Sequence, residues 1–126
     1  MPIFVVHKHS AHKLHWDLRI EMDGVLKSWA VPKEPPREKG VKRLAIQVKD
    51  HALSYADFEG IIPKGFYGAG TVEIWDKGEC ELTEVEEGKL VFILSGRKLK
   101  GKYCLIKFRT RERKENWLFF KVSAYN

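Results

Sequence analysis

The run LHWDLRIE, residues Leu14–Glu21, alternates apolar and polar side chains without interruption. Successive side chains of a β-strand point to opposite faces of a sheet, so the alternation predicts a strand with one face in the core. The polar face carries, in order, His15, Asp17, Arg19 and Glu21. Imidazole and carboxylate groups bind divalent metals, and a guanidinium group binds phosphate through paired hydrogen bonds. We therefore interpret this face as a candidate site for a metal ion and a phosphate group.

A second alternating run, Arg43–Val48, extends this candidate site. If that strand continued without interruption, His51 would lie on the same face as Arg43. A concave face of the sheet could then bring His9 and the polar row of Leu14–Glu21 close to Arg43 and His51. Two imidazoles and one carboxylate form a common ligand set for a catalytic divalent metal and leave positions for substrate.

Each of these residues also has a purely structural explanation. A single histidine is most often a surface residue or a hydrogen-bonded core residue, and we favour that explanation for His12. His7 fits a supporting partner as well as it fits a ligand. Asp17 and Arg19 could form an ordinary ion pair, which adds little to stability. The combination of four histidines within nine residues and a carboxylate on the same face as an arginine favours the metal and phosphate site.

Length and composition fit one domain over residues 1–126, because 126 residues with 44% apolar content can bury a substantial core. No run reaches the ~20 apolar residues of a membrane span, and the first residues become polar too early for a signal peptide. We therefore expect a cytoplasmic protein without membrane association. Cys80 and Cys104 match no metal-binding spacing, and we expect two buried thiols in preference to a disulfide.

The positive charge of the chain is concentrated in one segment. The net charge is +6, and residues 97–121 carry ten Lys or Arg against two Glu. This balance favours a polyanionic partner, and nucleic acid is the first candidate. A basic protein with scattered lysines explains the charge equally well.

Short strand-like runs separated by turn residues dominate the chain and predict a mainly β fold. We expect a small closed or nearly closed β-barrel of about eight strands with one or two short helices. The helix candidates are Tyr55–Glu59 and Thr83–Glu87, and Met22–Gly24 predicts a tight hairpin turn. The expected strands are Ile3–His7, Leu14–Glu21, Val25–Val31, Arg43–Val48, Thr71–Trp75, Leu90–Leu94, Tyr103–Arg109 and Trp117–Val122.

The glycine-rich segment Gly65–Gly70 is not a P-loop, because it lacks the GK[ST] ending and no long helix pattern follows it. We interpret it as a tight corner of the fold. Phe66 and Tyr67 lie between its glycines and could stack on the end of a nucleic acid.

Longer stretches of the sequence resemble a known family. The run FVVHKHSAHKLHWDLRIEMDGVLKSWAVPK, from Phe4 to Lys33, resembles the signature of the 3′-phosphoesterase domain of DNA ligase D, from prokaryotic non-homologous end joining. The resemblance continues through VKRLAIQVKDH (Val41–His51), YADFEG (Tyr55–Gly60) and IPKGFYGAGTVEIWD (Ile62–Asp76), and so covers most of the chain.

The resemblance implies a manganese-dependent enzyme that repairs 3′ ends. Such an enzyme removes a terminal ribonucleoside from primer–template DNA to leave a 3′-phosphate, and then removes that phosphate to leave a 3′-OH. A site of two histidines and one aspartate also accepts cobalt or zinc. We expect a DNA ligase, a polymerase and an end-binding protein to act as separate chains. The resemblance further implies a small β-barrel with a crescent-shaped active-site surface.

Roles follow from the resemblance position by position. It implies metal ligation by His9, Asp17 and His51, and catalysis by His15, which would contact the scissile phosphate and act as general acid. The remaining implied residues are the phosphate-binding Arg19 and Arg43, the active-site residues Lys33 and Tyr55, and the supporting groups His7 and Glu21.

The sequence also departs from the family pattern. Ser10 stands where an acidic residue is common, His7 stands where glutamine is common, and Trp16 replaces a tyrosine. None of these changes removes an implied ligand. Two alternative functions stay open, namely a non-catalytic nucleic-acid-binding β-barrel and a different metal-dependent phosphoesterase that acts on RNA ends.

Overall fold

The computed structural model describes residues 1–111 and 115–123, and in them nine strands form one antiparallel sheet. The strands are β1 Ile3–Ser10, β2 Leu14–Met22, β3 Val25–Val31, β4 Lys42–Ala52, β5 Gly60–Ile62, β6 Gly70–Glu86, β7 Lys89–Ser95, β8 Lys100–Lys107 and β9 Asn116–Ser123. Their order is β1-β2-β3-β4-β9-β8-β7-β6-β5, and a further pairing of β1 with β6 closes eight of them into a ring-like sheet. The mainly β prediction is confirmed, and β5 is a short ninth strand beside the start of β6.

The alternation in the first two strands separates a core face from an outer face. Phe4 and Val6 of β1 and Leu18 and Ile20 of β2 are fully buried and pack in the main core with Trp29 of β3. Burying a side chain of this size contributes about 1.5–3 kcal/mol relative to leaving it exposed. This burial fixes the register of β1 against β2, because a shift by one residue would turn every core side chain outward.

A short helix covers part of the outer face. The 3₁₀ helix Leu53–Asp57 follows β4 directly and lies two residues before the helix expected at Tyr55–Glu59. Its Ala56 is buried against Val5 of β1 and Leu26 of β3. Beside this small cluster, four polar side chains of β1 and β2 line a pocket, namely His9, His15, Asp17 and Arg19.

The prediction of a helix at Thr83–Glu87 is wrong. β6 continues to Glu86, and the hairpin turn that follows uses Gly88 at a φ of +79°. Leu82 packs against the main core and pairs with Phe92 of β7. Strand pairing and core packing therefore outweigh the helical propensity of the neighbouring glutamates.

The hairpin turn expected at Met22–Gly24 is confirmed. β2 ends at Met22 and β3 begins at Val25, so two residues form the loop. Asp23 has a φ of +53° and Gly24 a φ of +80°. Positive φ at both central residues is the requirement of the type I′ turn, whose twist matches that of the paired strands.

Cys80 and Cys104 are both buried and free, as expected. Burial raises the pKa of the Cys80 thiol to about 12, so this thiol stays protonated near neutral pH.

No helix in the ranges 1–111 and 115–123 is long and apolar enough to cross a membrane. The basic segment 97–121 and the single domain expected over residues 1–126 both include residues 112–114, which lie outside the described residues.

Candidate metal and phosphate site

A cavity of about 330 Å³ opens on the outer face of the first four strands, beside the 3₁₀ helix and the loop from β5 to β6. We call it the site pocket. Its walls include three histidines, one carboxylate, one guanidinium and two tyrosines. The lining residues are His9, Ala11, His15, Asp17, Arg19, Ala30, Val48, His51, Tyr55, Ile62, Tyr67 and Gly68.

Strand pairing brings the polar residues of β1 and β2 together. His9 pairs with His15, and His7 pairs with Asp17, so these four residues lie on alternate rungs of one hairpin and share one face of it. Adjacent strands are about 4.8 Å apart, which places paired side chains on one face within contact distance. The imidazole rings of His9 and His15 lie 4.7 Å apart between centroids.

His9 has an unpaired nitrogen that faces a carboxylate. Its Nε2 donates to the carbonyl oxygen of Gly68 at 2.7 Å, which leaves the lone pair of a neutral imidazole on Nδ1. Nδ1 lies 3.6 Å from Oδ2 of Asp17. Two electron-rich atoms that face each other in a buried position require a cation or a proton between them.

His15 and Asp17 form a hydrogen-bonded pair of opposite charge. Nε2 of His15 lies 3.3 Å from Oδ1 of Asp17, and Nδ1 lies 3.1 Å from the carbonyl oxygen of Lys13. The hydrogen bond to Asp17 raises the pKa of His15 despite partial burial. Burial acts to raise the pKa of Asp17, but the hydrogen bond from His15 and the contacts with His9 and Arg19 outweigh it and hold that pKa well below its usual range. Asp17 is therefore ionised, and His15 keeps its proton above its usual pH range.

The donor set fits a divalent metal ion. Among the described residues, His9, His15 and Asp17 each offer a ligand atom, and these atoms all lie within 4.8 Å of one another. Imidazole nitrogen and carboxylate oxygen suit zinc, cobalt and manganese. His51 lines the same pocket but is not in this close group, because β4 lies two strands away from β2.

His51 reaches the site pocket through an irregularity in β4. Ser28 pairs with Val48, whereas Leu26 pairs with His51, so β4 has one extra residue between these pairs. This bulge puts His51 on the face of Val48, and the expectation of an uninterrupted strand with His51 on the face of Arg43 is wrong.

Tyr55 packs against His51 and completes this part of the pocket wall. The two rings lie 4.4 Å apart between centroids. Burial, followed by the nearby charge of Arg19, lowers the pKa of His51, so its imidazole is neutral near neutral pH. The 3₁₀ helix thus supplies the aromatic surface that fixes the histidine of β4.

Arg19 is a buried cation at the floor of the pocket, with 4% exposure. Its Nε donates to Nδ1 of His7 at 3.0 Å, Nη1 donates to Oγ of Ser28 at 2.9 Å, and Nη2 donates to Oδ2 of Asp17 at 3.3 Å. The Tyr55 ring lies 5.0 Å from the guanidinium carbon. A guanidinium group has five N–H donors, so two remain for a ligand beyond these three contacts.

His7 is fully buried and supports Arg19. Because its Nδ1 accepts from Arg19, its Nε2 carries the proton and donates to the carbonyl oxygen of Phe58 at 3.1 Å. Burial and the charge of Arg19 lower the pKa of His7 to about 4, which keeps the imidazole neutral. His7 therefore orients Arg19 and does not line the pocket.

Arg43 and Lys33 lie outside the site pocket, in a second depression of about 240 Å³. Nε of Arg43 donates to the carbonyl oxygen of Glu34 at 2.7 Å. The two depressions follow one another along the sheet: Ala30 of β3 lines the first and Pro32 lines the second. Two residues of strand span about 7 Å, so the depressions are adjacent.

The other expected supporting residue, Glu21, lies away from the site pocket. Its Oε1 accepts a hydrogen bond from the backbone N–H of Ile3 at 3.1 Å and thereby fixes the start of β1. Sequence reasoning missed Ser28 and the carbonyl groups of Phe58 and Gly68. The first is an ordinary polar residue in an alternating strand, and a backbone carbonyl gives no signal in a sequence.

The part of the basic segment 97–121 that belongs to β8 lies across the ring from the site pocket. In the order of the strands, β8 is four strands away from β2 in either direction. Several cations of the segment contact the protein itself: Nζ of Lys98 donates to the carbonyl oxygen of Trp75 at 2.7 Å, and Nζ of Lys121 donates to that of Arg37 at 3.1 Å.

Comparison with known proteins gives consistent results along the chain. A family model described as the DNA Ligase D 3′-phosphoesterase domain matches residues 7–107. The multifunctional non-homologous end joining protein LigD of Pseudomonas aeruginosa is 50% identical over 124 residues, which cover 94% of this chain and 15% of that protein. LigD of Mycobacterium bovis and LigD of Mycobacterium tuberculosis are each 44% identical over 123 residues, which cover 94% of this chain and 16% of each relative. The chain thus spans about a sixth of the length of these relatives.

Proposed function

Because this chain belongs to the family of the DNA ligase D 3′-phosphoesterase domain, we propose that it is a metal-dependent phosphoesterase that repairs 3′ ends in non-homologous end joining. The observation that carries the proposal is the ionised Asp17, which lies between His9 and His15 and contacts Arg19 in one open pocket. A carboxylate that can bind a metal ion, next to a cation that can bind phosphate, supports phosphoester hydrolysis by electrostatic stabilisation.

The proposed substrate is primer–template DNA with a ribonucleotide or a phosphate at its 3′ end. In the first step the terminal ribonucleoside leaves and a 3′-phosphate remains. In the second step that phosphate is removed and a 3′-OH remains for a polymerase or a DNA ligase, with an end-binding protein as a further partner. Each step adds the elements of one water molecule across a P–O bond.

The proposed metal ligands are His9, Asp17 and His51, and manganese is the proposed ion. The lone pair of His9 Nδ1, which faces the Asp17 carboxylate, supports the first two assignments. The lowered pKa of His51 supports the third, because the neutral imidazole is the form that binds metal. When bound, the ion supplies charge that polarises a phosphate oxygen and offsets negative charge in the transition state.

His15 is proposed as the general acid. The hydrogen bond to Asp17 raises its pKa, and both ring nitrogens face acceptors, Nε2 the Asp17 carboxylate and Nδ1 the carbonyl oxygen of Lys13. As the P–O bond breaks, the proton of His15 transfers to the leaving oxygen. The pKa of His15 is raised whereas that of His51 is lowered. We therefore assign the proton donor to His15 and the metal ligand to His51.

The cations hold the nucleic acid strand along the two adjacent depressions. Arg19 lines the site pocket, and the two N–H donors left by its three hydrogen bonds are proposed to bind the scissile phosphate beside Tyr55. Lys33 and Arg43 line the second depression and are proposed to bind the strand there. Fixing a substrate in one orientation lowers the entropic part of the barrier.

A labelled primer–template whose primer ends in ribonucleotides tests the proposal. We expect manganese to support stepwise conversion to a 3′-phosphate and then to a 3′-OH, and a chelator to stop both steps. A primer that is bound but never cleaved would instead favour the non-catalytic nucleic-acid-binding protein. Faster cleavage of an all-RNA or 2′,3′-cyclic end would favour the RNA-end phosphoesterase.

A further inference from the structure

We propose that Phe66 and Tyr67 form a stacking surface for the base of the 3′-terminal nucleotide. The inference rests on the proposed function and adds a part of the substrate that the metal and phosphate residues do not contact. It concerns the loop from β5 to β6, whose role in the site is otherwise limited to the carbonyl group of Gly68.

The first observation is exposure. Phe66 is 67% exposed and Tyr67 is 86% exposed, although aromatic side chains are usually largely buried. Tyr67 also lines the site pocket. Two consecutive exposed aromatic residues, of which Tyr67 lines the pocket, offer flat apolar surface to a ligand that enters it.

The second observation is the attachment of this loop to the candidate metal site. Gly68 follows Tyr67 directly, and its carbonyl oxygen accepts the 2.7 Å hydrogen bond from Nε2 of His9. Phe66 and Tyr67 lie two residues and one residue before Gly68. Because consecutive Cα atoms are about 3.8 Å apart, both aromatic residues are close to this contact. A base is separated from its own 5′ phosphate by one sugar. With the scissile phosphate at His9 and Asp17, the base of the leaving nucleoside therefore reaches the loop.

The third observation is that the loop has a defined conformation. The N–H of Phe66 donates to the carbonyl oxygen of Pro63 at 3.3 Å, and the N–H of Ala69 donates to that of Phe66 at 3.1 Å. Gly70 has a φ of +134°, and a Cβ atom there would lie 2.4 Å from the carbonyl oxygen of Ser10. Two turns and a tight glycine thus fix the loop before a ligand binds, which reduces the entropy lost on binding.

A nucleobase fits this surface better than a protein segment does. The surface is continuous with the pocket that is proposed to hold the phosphate, so one nucleotide contacts both parts at once. Lys64 in the same loop is exposed and adds a positive charge. Every base has a π-face, so stacking provides affinity without sequence preference, as processing of arbitrary DNA ends requires.

Phe66→Ala and Tyr67→Ala test the proposal through two substrates. A primer with a terminal ribonucleotide contains the base that would stack, whereas a primer with a 3′-phosphate does not. We expect each variant to raise KM for the first substrate about tenfold and to affect the second much less. With an abasic terminal ribose the difference between variant and wild type should disappear. Val85→Ala, at a 57% exposed residue of the distant β6–β7 hairpin, is the matched control.

A binding measurement separates this inference from the proposed function. A primer that ends in 2-aminopurine ribonucleotide is mixed with the protein in chelator, so that no turnover is needed. Stacking should quench the fluorescence with the wild type and not with Phe66→Ala, while Phe66→Leu, which keeps an apolar side chain without a π-face, should resemble Phe66→Ala. Equal quenching in all variants, or equal KM changes for both substrates, would overturn the stacking surface. Quenching without any cleavage in manganese would refute the proposed function alone.

Discussion

The pKa and orientation of single residues in and behind the site pocket depend on one or two neighbours. His7 is the clearest example, because it accepts from Arg19 and donates to the Phe58 carbonyl group. The sequence resemblance makes glutamine the expected residue at this position, and a glutamine side chain also combines one acceptor with N–H donors. The two residue types therefore satisfy the same pair of contacts and differ in their response to pH.

His7→Gln should make folding less sensitive to acid. The folded state holds the pKa of His7 at about 4, below the ordinary value of 6.5, so the neutral ring stabilises the fold above pH 6.5. As the pH falls from 6.5 to 4, His7 becomes protonated in the unfolded state while it stays largely neutral in the folded state. The free energy of unfolding therefore falls by about 3 kcal/mol. Denaturant unfolding at pH 7 and pH 4 should show a smaller loss in His7→Gln than in the wild type. Equal losses would mean that His7 titrates normally.

His15→Ala and His51→Ala should separate catalysis from metal binding. If His15 is the proton donor and His51 a ligand, the first variant loses turnover but keeps its affinity for manganese, and the second loses affinity. Calorimetric titration with manganese measures this directly. Loss of manganese affinity in His15→Ala would instead assign His15 to the metal, as its place in the close group with His9 and Asp17 allows.

At the level of single elements, local alternation predicted most strands but not their irregularities. The row from His15 to Glu21 and the hairpin at Met22–Gly24 follow from local rules, and the structure confirms both. The bulge in β4 depends on its pairing with β3, and the helix expected at Thr83–Glu87 was overruled by pairing with β7. Contacts between distant segments decide such cases, and a single sequence contains no direct sign of them.

The turn between β7 and β8 depends on one buried carboxylate. Asp76 accepts hydrogen bonds from the backbone N–H groups of Arg97–Leu99 at 2.8 to 3.1 Å. Asp76→Ala leaves these donors without a partner and should lower the free energy of unfolding by about 3 kcal/mol. Chemical denaturation measures the loss, with Glu79→Ala, at an exposed position of the same strand, as the control. A loss below ~1 kcal/mol would show that water replaces the carboxylate.

At the level of the whole molecule, the closed ring decides which charges can meet the substrate. The sequence suggested the basic segment 97–121 as the nucleic-acid contact, but β8 lies across the ring from β2. Lys33 and Arg43, by contrast, line the depression next to the site pocket. Ring closure was expected from the number of strands, whereas the position of each charge depended on the strand order.

Lys33→Gln should therefore reduce the salt dependence of DNA binding, and Lys100→Gln should not. Each phosphate contact that is lost lowers the slope of log K against log salt by about one. Both lysines are exposed, and Lys100 belongs to β8. Binding to a primer–template is measured at several salt concentrations by fluorescence anisotropy. An equal change in both variants would mean that the far side of the ring also follows the duplex.

The site pocket lies between β1, which is paired on both sides, and the loop that follows β5, which is paired on one side. The backbone hydrogen bonds of these two walls should therefore open at different rates. β1 has strands on both sides, β2 and β6, so its amide groups should exchange with deuterium only when a large part of the sheet opens. β5 has three residues and pairs only with β6 among the described strands, and the aromatic loop continues from it. Amides of residues 60–70 should then exchange early and become protected when a substrate end binds, so isotope exchange would report on occupancy while the histidines of β1 stay in place.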